Sequence, residues 1–115
     1  MAYDNTGNKY CRKVLDLGGD IGGSLWVLDT VDAETAVDAA GYISDGKALG
    51  FRKGDIVIAR RWTTTLPAAD SELITPDGTA NDLISVFLHF VIGINATTLA
   101  PDLTNGLAIT ATNSD

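Results

Sequence analysis

Apolar positions along this chain fall in short β-branched runs separated by turn residues, with no sustained helical period. "SLWVLDT", residues 24–30, is an apolar run with turn residues on both sides and reads as a strand. "DIVIARRW", 55–62, is the clearest strand, with Ile56, Val57 and Ile58 at its centre. The stretch 83–94, "LISVFLHFVIGI", is apolar at both parities, which predicts a strand buried on both faces. A buried helix is the competing reading, but Ile84, Val86, Val91, Ile92 and Ile94 favour strand and Gly93 disfavours helix. "GLAITATN", 106–113, closes the chain as another strand.

Between these runs the signals are turns. "VDAETAVDAA" fits either one helical turn capped by Asp32 or a strand centred on Thr35, Ala36 and Val37. Gly41 punctuates, and "ISDGKALG" reads as a turn or a single helical turn. Residues 63–81 carry Pro67, Pro76 and Asp77-Gly78 and predict a long loop, with a short strand at Leu73-Ile74 as an option. Residues 1–23 are polar and end in "LGGDIGGS", where Gly18, Gly19, Gly22 and Gly23 give high backbone entropy and no apolar face. They predict a flexible N-terminal arm (1–23) on a single β-rich domain (24–115). Five or six strands with little helix predict a mostly all-β fold, a compact antiparallel β-sandwich or small β-barrel.

Composition agrees with one folded domain: 115 residues, 45% hydrophobic and 20% charged. Cys11 is the only cysteine, so no disulfide forms within the chain. The N-terminus has no apolar core of a secretory signal, and the 83–94 run is shorter than the about 20 residues a membrane helix needs. The expectation is a protein made and kept in a cytoplasm, or released with a particle by lysis, without a membrane partner.

Charge is more informative in its distribution than in its total of −7. All eight Lys and Arg lie between Lys9 and Arg61, and the remainder of the chain carries only acids. Neither part has the positive excess that phosphate neutralisation requires, so nucleic acid is not an expected partner.

Candidate chemistry is sparse. The glycine-rich segment has neither GxxxxGK[ST] nor GxGxxG spacing. His89 is the only histidine and lies inside an apolar run, which predicts a hydrogen-bonded core or interface residue. Asp29, Asp32, Glu34 and Asp38 lack the spacing of a calcium loop and read as a solvated face. Asn95-Ala96-Thr97 matches a glycosylation sequon, but no signal peptide accompanies it. "KGDIVIARR" is similar to a strand of self-cleaving repressor-type peptidases, but that family needs a serine in a Ser-Met context and a downstream lysine. Neither occurs, since no lysine follows Lys53. The expectation is no enzyme, no metal and no cofactor.

Residues 24–61 carry a more specific pattern: Trp26, then Asp29-Thr30, Ala36, Gly41-Tyr42-Ile43, Leu49 and Gly54-Asp55-Ile56-Val57. It resembles a pattern shared by small structural proteins of tailed phages and prophages, over about a third of the chain. Ile43 stands where that pattern has Phe, and "GFRKGD" adds an aromatic before the Gly-Asp step. The residues themselves read as structural: a left-handed turn at Gly41, Tyr42 plugging the core edge, and a turn at Lys53-Gly54-Asp55 delivering a strand.

The resemblance implies a virion protein, first of all a capsid decoration (cement) protein. Such a protein binds the outside of the major capsid protein lattice as a homotrimer. A head spike or tail-fibre knob is the alternative within the virion, and a cytoplasmic small-molecule-binding β-barrel the alternative outside it. On the first reading Lys9, Arg12 and Lys13 of the arm contact the capsid. Phe87, His89, Phe90 and Ile92 form the contact between subunits.

Overall fold

Six strands hydrogen-bond into one mixed sheet in a computed structural model, which describes residues 3–5, 9–18, 21, 23–74 and 82–110. The strands are β1 (Cys11–Asp16), β2 (Ser24–Thr30), β3 (Ile56–Trp62), β4 (Leu83–Ile94), β5 (Pro101–Leu103) and β6 (Leu107–Thr110). Their order is β1-β2-β3-β4-β5, with β6 on β4 beside β5. The β-rich expectation holds, and the strands expected around 24–30, 55–62 and 83–94 are present. Gly19, Gly22, the Pro76–Gly78 turn and residues 111–113 lie outside the described residues.

Three local expectations are corrected. β2 and β3 run parallel, with Leu25 beside Ile56 and Thr30 beside Arg61, so the sheet is not purely antiparallel. The reason is the length of the intervening segment, which is long enough to return the chain to the start of β2. That crossover holds the one-turn helices α1 (Glu34–Val37) and α2 (Gly46–Leu49). Asp32 does not cap α1; it accepts a 2.6 Å bond from the Tyr42 hydroxyl, and its own N–H donates to Thr30. Asp70–Ile74 forms a 3-10 turn and not a short strand.

The segment expected to be an arm contains β1, which pairs antiparallel with β2 from Cys11–Leu28 to Asp16–Ser24. Cys11 is buried and its thiol is pushed up to about 12, chiefly by burial. The Asn5 carboxamide oxygen accepts from the backbone N–H groups of Tyr10 and Cys11, fixing the chain as it enters the strand. Leu17 then bonds to the Gly23 carbonyl, closing the connection to β2.

The Gly-Tyr and Gly-Asp steps act as turns. Gly41 and Gly54 have φ of 82° and 88°, the left-handed region where a side chain is strained. Fully buried Asp55 accepts from Ser24 N, Trp26 Nε1 and Arg52 N at 2.9–3.0 Å, tying the start of β3 to the start of β2. Trp26 stacks on Phe51 at 3.9 Å, and around them Leu28, Val37, Ile43, Val57, Phe87, Val91 and Leu103 form the core. This core fills one side of the sheet, under the crossover and β5.

Candidate assembly face

β4 alternates cleanly. Ser85, Phe87, His89 and Val91 point into the core, and Leu88, Phe90 and Ile92 point away from it. The sequence expectation of burial on both faces is therefore met on one face only. Pairing carries the outward set across the sheet. One row runs Leu15, Leu25, Ile56, Phe90. The next runs Arg12, Val27, Ile58, Leu88, Leu107. A third runs Asp29, Arg60, Val86, Ile109.

Six side chains of this outer face, Leu15, Leu88, Phe90, Ile92, Leu107 and Ile109, are 43% to 68% exposed. Together they leave roughly 600 Å² of apolar surface open, as much as the largest patch of a typical monomer.

One end of the face is polar. Asp29, almost fully buried, accepts from Arg60 Nε at 2.7 Å, Arg60 Nη2 at 3.0 Å, Arg12 Nη1 at 3.0 Å and Trp62 Nε1 at 3.0 Å. Burial pushes its carboxyl upward, but the bonds from Arg60, Trp62 and Arg12 outweigh that and hold it below the ordinary carboxylate value. Arg60 also lies over the Trp62 ring at 5.5 Å. Beside this cluster opens a cleft of about 240 Å³, lined by Lys9, Tyr10, Arg12, Asp29 and Arg60 on one side and Pro67, Ala68, Ala69 and Leu73 on the other.

The candidate residues separate accordingly. Phe90 and Ile92 lie on the open face, whereas Phe87 and His89 are buried in the chain's own core and present no surface to a neighbour. His89 Nδ1 is 2.8 Å from the Thr104 carbonyl, and Gly106 packs so closely on the ring that a Cβ there would sit 2.7 Å from it. Lys9 and Arg12 meet at the cleft. Lys13 lies on the other side of the sheet, 3.5 Å from Asp16 and 6.0 Å above the Trp26 ring.

The four clustered acids do not form the solvated face expected of them, since Asp29 and Asp32 are buried. Asp29 binds the arginines, Asp32 the Tyr42 hydroxyl and Glu34 the Gly106 N–H at 2.6 Å. Partial burial and the neighbouring Glu34 raise the Asp38 carboxyl above its ordinary value. Among the described residues no group of three or more His, Cys, Asp or Glu is arranged to hold a metal ion.

Sequence reasoning did not find the outward residues of β1, β2, β3 and β6, nor the joining of Asp29 to Arg60 and Trp62. The alternation Ile56, Ile58, Arg60 was a usable signal for part of it. Compared with family models, curated proteins and solved structures, the chain matches none.

Proposed function

We propose that this chain is a virion structural protein of the tailed-phage kind, a capsid decoration (cement) protein. In this reading it associates as a homotrimer and binds the outside of the major capsid protein lattice. The observation that carries the reading is the open apolar face, five strands wide, on a chain whose core lies on the other side of the sheet. Its open apolar area is close to the roughly 800 Å² per partner of a standard protein interface, so the neighbouring copies of a trimer cover it at the expected scale. The trimer, as against another number of copies, comes from the resemblance in residues 24–61.

The chemistry of that pattern supports a structural role. Trp26 and Asp55 are hydrogen-bonded at 2.9 Å, and Thr30 and Tyr42 lie 2.9 Å apart, so its elements brace one another. A cement protein works by state-selective binding: it binds the assembled lattice and not the free subunit, and so stabilises the shell by linkage. Copy number in purified particles is the test. Hundreds of copies per particle is the expected result; a few to tens would favour the spike or fibre knob, and none would overturn the virion reading.

A further inference from the structure

We infer that the cleft at the polar end of the sheet is a binding site for an acidic peptide segment, with Lys9, Arg12 and Arg60 receiving its carboxylates. The inference deepens the assembly reading by naming the chemistry of the partner's contacting segment, and rests on that reading only for who the partner is. Two arginines converge here on one buried carboxylate, and Lys9 lines the same cleft, in a chain of net charge −7. Asp29 takes Nη1 of Arg12 and both Nε and Nη2 of Arg60. Among the described residues Arg12 Nη2 and Arg60 Nη1 then have no acceptor, and Lys9 Nζ has only the Ala68 carbonyl at 3.5 Å. Asp29 holds the two guanidinium groups in place, so their remaining donors are oriented before a ligand arrives.

The class of ligand follows from the walls. Pro67, Ala68 and Leu73 give the far side an apolar surface that suits a peptide better than a bare ion. The Asp29 carboxylate within the cleft repels the closely spaced charges of a dianion more than single carboxylates spaced along a chain. On that far side the Glu72 carboxylate accepts the Ala68 N–H at 3.0 Å.

The two tryptophans supply the assay. The Trp62 indole N–H donates to Asp29 and reports on the cleft, whereas that of Trp26 donates to Asp55 in the core and serves as internal control. An oligoglutamate peptide titrated into the 15N-labelled full chain should move the Trp62 indole signal saturably and leave Trp26 in place. Lys9→Ala should weaken binding about threefold and Lys9→Glu about tenfold or more, without changing the fold, because Lys9 is exposed. Sodium phosphate at equal charge should have little effect. An unmoved Trp62 signal, an unchanged affinity in Lys9→Glu, or an equal response to phosphate would overturn the inference. If the peptide fails while the chain still decorates shells, the cleft assignment alone falls. If the peptide binds and purified particles lack the chain, the virion reading alone falls.

Discussion

Replacing Leu88 and Phe90 together by glutamate separates association from folding. Both side chains are about half exposed on the outer face, opposite Ile58, Leu107 and Ile56. They leave roughly 200 Å² of apolar surface uncovered, so burial against a neighbour contributes about 4–6 kcal/mol per copy. Two carboxylates in the same place add a desolvation cost. At about 1.4 kcal/mol per factor of ten, the double variant should associate at least 100-fold more weakly (~2.8 kcal/mol). Its monomer should lose only about 1 kcal/mol of folding stability, as half-exposed positions do. Phe87→Ala, one residue away but facing the core, should do the reverse: destabilise the fold by about 3–5 kcal/mol while leaving the outer face intact. Sedimentation across the micromolar range, with urea unfolding alongside, measures both quantities. A wild-type chain that stays strictly monomeric throughout that range, or a double variant that associates as tightly as wild type, would refute the reasoning.

Asp55→Ala should cost about 3 kcal/mol or more in urea unfolding, because it strands the Ser24, Trp26 and Arg52 donors in a fully buried site. Asp29 contributes stability that is present above its unfolded value near about pH 4 and lost as pH falls through its lower folded value. Asp29→Asn should therefore flatten that part of the acid limb of stability against pH, and an unchanged limb would count against the Arg12–Asp29–Arg60 cluster. Cys11, buried with its thiol raised to about 12, should resist alkylation in the native protein and react at the rate of unfolding. Deleting residues 1–23 removes β1 as well as the glycine-rich connection, so circular dichroism and thermal melts should show a destabilised sheet and not an intact domain lacking an arm.

What the sequence disclosed followed from how local each signal was. β2 and β3 have β-branched runs with turns on both sides, and β4 has such residues along most of its length, so all three were legible. β1 was not, because Arg12 and Lys13 interrupt it and only Cys11 is buried along it; an edge strand needs little apolar character to pair. The parity of β4 misled for a physical reason. Apolar residues at both parities do not say that one chain covers both faces, and here one face of β4 is buried while Leu88, Phe90 and Ile92 on the other are open. The Asp29 site was invisible, since Arg12, Asp29, Arg60 and Trp62 come from three strands and no sequence spacing joins them. The turns at Gly41 and Gly54 were legible because a left-handed φ leaves glycine as the favoured residue.

The arrangement of edges and faces directs how such a sheet associates. An exposed edge invites strand addition, yet β1 at one edge carries Arg12 and Lys13 and a register shift between Lys13 and Leu15. Charges and bulges of this kind oppose edge-to-edge pairing. Among the described residues, beyond β4 lie β5, of three residues, and β6, of four, and short strands at an edge give little template for pairing. The outer face has no comparable protection: its rows of Leu, Ile, Val and Phe run across five strands, with charge at one end only. Association through the face, as proposed, would leave the backbone ladder of each copy unchanged and keep the Asp29 cluster at the rim, open to water and to the carboxylates of the proposed partner. On the proposed reading, a chain built this way would add to an assembly as a finished unit, which is what a component that binds a completed shell requires.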